Sequence, residues 1–183
     1  MANLMIRNLL VTLEFTKPEI AFYDVTLGQI ALFSGIALGG FMYARLGVAR
    51  TMLISLFLMM ISNLSFAGLA VIGHDVNFLA FTIGFENFAS GIGGVVVVGY
   101  LSSLCNLAYT ATQYALLSGA AAILGRFLTA PSGFLINAMG YPAFYLMTTA
   151  AALPGIILFV YMIRFGFLGL ENSEETPKST AST

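Results

Sequence analysis

The chain has 183 residues, 59% apolar and 8% charged, with a formal net charge of −1 and a mean hydropathy of +0.94. Soluble domains carry about 25% charge, so this composition excludes an ordinary soluble domain, and the near-neutral balance excludes a nucleic-acid partner. One cysteine, Cys105, and one histidine, His74, leave no internal disulfide and no Cys/His metal set, so neither a metal nor a cofactor is expected.

In residues 1–16, Leu4, Met5, Leu9, Leu10 and Leu13 recur at helical spacing among Asn3, Asn8, Thr12 and Glu14. Arg7 falls where a signal peptide has its apolar core, so no cleavable leader is expected. Residues 1–20 read as an interfacial helix or a truncated one. Five apolar spans follow, at 22–42, 51–72, 78–104, 110–136 and 142–165. Each meets the requirement of roughly 20 residues for about 30 Å of hydrocarbon. Short breaks separate them, which makes successive helices antiparallel neighbours. The tail at 171–183, rich in Glu, Ser, Thr and Lys, is expected to be disordered. The fold class expected is therefore all-α: a polytopic membrane protein of about five transmembrane helices in one domain over 1–183.

Lys and Arg set orientation. Arg45 and Arg50 flank the first hairpin, and Arg164 and Lys178 follow the last span. An odd number of spans places both groups on one side, assigned to the cytoplasm, so the C-terminus is expected there. The turns at 73–77 and 137–141 contain no Lys or Arg, whereas Arg7 and Lys17 fall on the outer side against the trend. Gly35-x-x-x-Gly39 and Ser90-x-x-x-Gly94 suit close helix approach. Pro131 and Pro154 lie inside the fourth and fifth spans, where each removes a helix hydrogen bond.

The third span holds one charge, Glu86, at an insertion cost of about 2.5–3.5 kcal/mol near a bilayer centre. Asn63, Asn87, Asn106, Thr110, Thr112, Gln113, Ser118 and Arg126 complete a polar constellation within or at the edges of the spans. At about 1.5 Å per residue, Glu86 lies about 12 Å below one face and Arg126 about 15 Å below the same face on the next helix. Two readings of these opposite charges stand side by side. One is a structural ion pair that fixes helix register. The other is a substrate or proton site, in which desolvation lets the carboxyl titrate near neutrality and Arg holds an anionic group bidentately. No Gly-Lys-Ser/Thr phosphate loop is present, and one His and one Cys cannot build a catalytic triad, so an enzyme is not expected.

Between the first two spans, Gly39-Gly40-Phe-Met-Tyr-Ala-Arg45-Leu-Gly47-Val-Ala-Arg50 resembles the inner-loop signature of the major facilitator superfamily. Phe85-Glu-Asn-Phe-Ala-Ser-Gly-Ile-Gly-Gly94 is more specific. With it go Leu104-Cys-Asn-Leu-Ala-Tyr-Thr-Ala-Thr-Gln-Tyr-Ala-Leu-Leu-Ser118, Gly125-Arg126, Gly140-Tyr-Pro-Ala-Phe-Tyr-Leu146 and Ala151-Ala-Leu-Pro-Gly155. Together these resemble the C-terminal half of AmpG-type muropeptide permeases, in the peptide, acetyl-CoA and drug transporter group, over about residues 18–165.

The resemblance implies proton-driven uptake across the bacterial inner membrane. The implied cargo is N-acetylglucosamine–anhydro-N-acetylmuramic acid with or without its peptide. Glu86, Asn87, Thr112, Gln113 and Arg126 stand on matching positions and are the implied pathway residues. Two departures accompany it. Val25, in Glu19-Ile-Ala-Phe-Tyr-Asp-Val25-Thr-Leu-Gly28, stands where the family usually has Lys. The family also has about twelve or more helices in two halves, and alternating access rocks one half against the other. The expected partners are accordingly the lipid bilayer, a small-molecule substrate, and a separately encoded N-terminal half or a second copy. The competing expectations are an inactive gene remnant and a non-transporting membrane interaction protein.

Overall fold

The computed structural model describes residues 2–105 and 110–165. Among them the chain is helical and contains no strand: α1 (Ala2–Thr12), α2 (Lys17–Phe22), α3 (Gln29–Ile72), α4 (Val76–Ser103), α5 (Thr110–Thr129), α6 (Ser132–Met139) and α7 (Tyr141–Arg164). A π-helical segment, Tyr23–Gly28, joins α2 to α3. Four stretches are long and apolar enough to cross a membrane: Pro18–Ile72, Val76–Ser103, Ala111–Met139 and Tyr141–Arg164. The molecule is an all-α polytopic membrane bundle. Asn106 and the tail at 171–183 lie outside the described residues, as does the Thr110 side chain.

α3 is 44 residues long, and Gly47 within it sits at φ 78° and ψ 171°, far from helical values. The packing on either side of Gly47 explains this. Ahead of it, Gly35 abuts Phe88, Gly39 abuts Ile92 and Tyr43 abuts Gly99, so this arm runs parallel to α4. Beyond it, Ser55 and Met59 lie beside Gly93, Ser62 meets Glu86 and Gly68 lies beside Phe78, so this arm runs antiparallel to α4. The two arms therefore form a hairpin whose reversal falls at Gly47, in a backbone conformation essentially confined to glycine. Arg45 and Arg50 are exposed beside the reversal, and the Arg45 guanidinium lies 5.3 Å from the Phe41 ring centre.

α4 lies against both arms because small residues permit it. A Cβ on Gly39 would stand 2.9 Å from Ile92 Cα, and one on Gly91 would stand 2.5 Å from the Leu32 carbonyl oxygen. A Cβ on Gly35 would collide with the Phe88 backbone. Gly35 and Gly39 thus act as the spacing predicts. Gly94 does not, having nothing within 4 Å. α4 commits Leu79, Thr82, Glu86, Ala89 and Gly93 to burial, and this helical phase leaves Gly94 exposed while Gly91 meets α3.

The turn between α3 and α4 is fixed by its own chemistry. Gly73, at φ 88°, ends α3. The Asp75 carboxylate caps α4 by accepting from the backbone N–H groups of Asn77 (2.9 Å) and Phe78 (3.1 Å). His74 stacks on Phe15 at 4.1 Å, and its Nδ1 lies 3.1 Å from the Leu13 carbonyl oxygen, tying the N-terminal segment to this end of the bundle. The N-terminal segment contributes Leu9, Leu10 and Phe15 to a core shared with Phe66, Leu69, Leu79, Ile136, Phe144 and Tyr145. Pro131 separates α5 from α6, whereas α7 continues through Pro154.

The glycine contacts set a stability test. Gly35→Ala and Gly91→Ala force backbone apart and should each destabilise the protein by about 1–3 kcal/mol, against a smaller gain in helix propensity. Gly94→Ala should be neutral or stabilising by up to about 1 kcal/mol. Reversible unfolding in mixed micelles reads all three; equal effects at Gly91 and Gly94 would refute this packing.

Candidate functional site

Glu86 lies midway along α4 and is 7% exposed. Its carboxylate accepts a hydrogen bond from the Ser62 hydroxyl of the second α3 arm. Burial of a carboxylate is costly unless other groups take over the role of water. The surroundings contain few such groups. One turn toward the N-terminus of α4, Thr82 is fully buried, and its Oγ1 has no hydrogen-bond partner among the described residues. Tyr145 of α7 is 1% exposed, and its hydroxyl is likewise unpartnered. The Tyr145 ring stacks on Phe66 at 5.6 Å, one turn along α3 from Ser62. Glu86 thus has the bonded Ser62 hydroxyl on α3 and the buried Thr82 hydroxyl one turn away on α4, with the Tyr145 hydroxyl of α7 in the adjoining core.

The expected pathway residues do not gather around this carboxyl. Asn87 is half-buried on the next face of α4, where its Nδ2 donates to the Ile83 carbonyl at 2.9 Å. A Cβ on Gly28 would stand 3.0 Å from that Nδ2 and 3.6 Å from an Asp24 carboxylate oxygen, so the π-helical segment brings Asp24 toward Asn87. Val25 is exposed on the same segment. Thr112 and Arg126 are exposed on α5, and Gln113 is half-buried there. Glu86 and Arg126 form no ion pair among the described residues. Their similar depths along consecutive helices fix one coordinate only, and the rotation of α5 places Arg126 at the surface.

Of the inner-loop motif, Gly39 is a packing contact, Gly47 is the reversal, and Gly40 has nothing within 4 Å. Cys105 is half-buried, with its Sγ 3.2 Å from the Leu101 carbonyl oxygen. On the opposite side of α4 from Glu86, an open groove of about 370 Å³ is lined by Leu27, Ala80, Phe81, Gly84, Phe85 and Phe88. Its apolar walls suit lipid or another helix better than a sugar. Ser62, Thr82 and Tyr145 were not singled out by sequence reasoning. Thr82 had a legible signal, standing four residues from Glu86 on the same helix face.

No family model matches the chain. Curated relatives do. The AmpG 4 transporter of Rickettsia conorii is 35% identical over 152 residues, 83% of this chain and 37% of that protein. The AmpG 3 transporter of Rickettsia typhi is 31% identical over 161 residues, 87% of this chain and 38% of that protein. The anhydromuropeptide permease of Escherichia coli K12 is 36% identical over 145 residues, 79% of this chain and 29% of that protein. The chain spans about a third of the length of these relatives. They are named as transporters or a permease, not as enzymes. The chain is a multi-pass membrane protein homologous to the AmpG-type permeases along about four-fifths of its own length.

Proposed function

We propose that the chain is part of a proton-coupled secondary transporter of the bacterial inner (cytoplasmic) membrane, with a partial major facilitator bundle and muropeptides as cargo. The observation that carries this reading is the homology to AmpG-type proteins, one of which is named an anhydromuropeptide permease. The cargo class that follows is N-acetylglucosamine–anhydro-N-acetylmuramic acid with or without its peptide.

Glu86 is the proton carrier in this reading. It is buried, and no described cation pairs with it, so its charge is not locked in place. Arg126 is the cargo anchor. Its guanidinium is exposed on α5, and an isolated Arg in hydrocarbon costs at least about 2.5–3.5 kcal/mol. That face of α5 therefore belongs against a wet path, where the fork of Arg donors suits a cargo carboxylate. Thr112 lies on the same face by helical periodicity, and Asn87 and Gln113 complete the set of pathway residues.

The bilayer crossings in this reading are five, with the α3 hairpin counted as two. Tyr141 and Tyr145 sit near the end of the bundle where α3 passes into α4, so α7 runs from there toward the end carrying Arg45 and Arg50. This supports placing Arg45, Arg50, Arg164 and the C-terminus on the cytoplasmic side. Alternating access needs a second wall. Further helices of a longer polypeptide, a separate N-terminal half, or a second copy supplies it.

Vesicles containing the chain with the helices that complete it should take up labelled anhydromuropeptide when a pH gradient is imposed. Glu86→Gln should abolish the response to the gradient. Arg126→Lys should raise KM for anionic cargo about tenfold or more, as loss of one charge-assisted contact implies. Uptake by Glu86→Gln with unchanged pH dependence would remove the proton role. Absence of uptake with every completing partner would favour a non-transporting membrane protein.

A further inference from the structure

Helical Ser and Thr side chains in this protein commonly satisfy themselves locally. Thr51 donates to the Gly47 carbonyl, Ser55 to Met52, Thr129 to Gly125, Thr148 to Tyr145 and Thr149 to Tyr145, all between 2.8 and 2.9 Å. Such back-bonding is the ordinary fate of a hydroxyl on a membrane helix. Ser62 and Thr82 depart from it. Ser62 donates to Glu86, and Thr82, fully buried, forgoes the carbonyl one turn back. Tyr145 adds a third buried hydroxyl with no partner among the described residues. Unsatisfied buried hydroxyls each cost about 1–3 kcal/mol; here Thr82 stands one helical turn from the carboxyl on α4, and Tyr145 stacks on Phe66, one turn along α3 from Ser62.

We propose that Ser62, Thr82 and Tyr145 form with Glu86 a closed proton-holding site between α3, α4 and α7, in which the three hydroxyls are positioning residues that accommodate both charge states of the carboxyl. The inference deepens the reading of Glu86 as proton carrier and rests on it. The chemistry follows from what a hydroxyl can do. It both donates and accepts, whereas Arg, Lys and backbone N–H groups only donate. With Glu86 ionised, the hydroxyls donate to the carboxylate, as Ser62 does here. When a proton arrives from water, one O–H bond forms on Glu86 and one breaks on the donor. The new carboxyl O–H is then donated to Thr82 Oγ1 or to the Tyr145 oxygen. Nothing is oxidised, and neither state leaves the carboxyl unpartnered. A shell of pure donors would instead hold the group ionised.

The groups facing Glu86 fit this role. From α3 the facing group is Ser62; α7 brings Tyr145 onto Phe66, one turn along α3 from Ser62, with Tyr141 one turn before it. The remaining described titratable or charged side chains on these elements, on the π-helical segment and on α5 are Tyr43, Arg45 and Arg50 around the hairpin reversal, Tyr23 and Asp24 on the π-helical segment, Tyr114 and Arg126 on α5, and Tyr161 and Arg164 toward the far end of α7. None of these forms a salt bridge with Glu86.

Infrared titration of the full chain in lipid nanodiscs tests the proposal without requiring transport. The wild type should show a protonated-carboxyl band that Glu86→Gln removes. Tyr145→Phe keeps the ring on Phe66 and loses only the hydroxyl, so it should raise the midpoint of that band by about half a pH unit or more, because lost donors disfavour the ionised form. Thr82→Val should do the same, and Thr82→Ser should restore the wild-type midpoint. Midpoints unchanged in both Tyr145→Phe and Thr82→Val, with helical content retained, would overturn the proposal. So would a band that Glu86→Gln does not remove. A chain that titrates as expected but moves no cargo would sustain this site and defeat the transport reading alone.

Discussion

A carboxylate held inside an apolar bundle is the constraint to which the rest of this structure answers. Glu86 can be buried only where α3 and α4 come close enough for Ser62 to reach it and where water is otherwise kept out. Both conditions depend on backbone contact. Gly35, Gly39 and Gly91 bring the first α3 arm against α4, and the hairpin at Gly47 returns the second arm along the same helix. α4 is thereby covered by both arms over the turns that flank Glu86. The glycines and the charge belong to one design, because a looser pair of helices would admit lipid or water to the carboxyl.

The seal is completed from distant parts of the chain. Leu9 and Leu10 come from α1, Ile136 from α6, and Phe144 and Tyr145 from α7, and all join the core that contains Phe66 and Leu79. In such a low-dielectric setting each hydrogen bond to the carboxyl strengthens and each missing one becomes more costly. The same packing positions Tyr145 on Phe66, one turn along α3 from the Ser62 that bonds Glu86. In the proposed site, movement of α7 against α3 and α4 would change the hydroxyl shell, a mechanical route between proton occupancy and helix position.

Much of the architecture could be read from the sequence because membrane helices announce themselves by length and apolarity. The all-α polytopic bundle, the interior placement of Glu86 and the use of Gly35 and Gly39 in packing were visible in that way. What escaped was rotational. Spacing places Gly94 and Gly91 equally well in a glycine-rich run, and only the face that α4 commits to α3 selects Gly91. Depth along the helices matched Glu86 to Arg126, yet rotation of α5 leaves Arg126 exposed. Ser62 and Tyr145 lay 24 and 59 positions from Glu86 and carried no local pattern that linked them to it. The π-helical register at Tyr23–Gly28, which brings Asp24 toward Asn87, was equally silent.

The separation of the two central charges also bears on mechanism. A direct Glu86–Arg126 pair would hold both groups charged and would set any cargo carboxylate in competition with Glu86 for the guanidinium. The structure bonds Glu86 to the Ser62 hydroxyl and leaves Arg126 on an exposed face of α5. In the proposed transport reading, proton binding and anion binding then answer to different local chemistry: a neutral shell that tolerates a change of charge, and a fixed cation that awaits one. Coupling between them has to travel through helix packing. In the proposed reading the short path is from Glu86 through Ser62 and α3 to α7, and from α4 along the chain to α5, so exchange between proton and cargo would be a matter of helix movement and not of direct charge neutralisation.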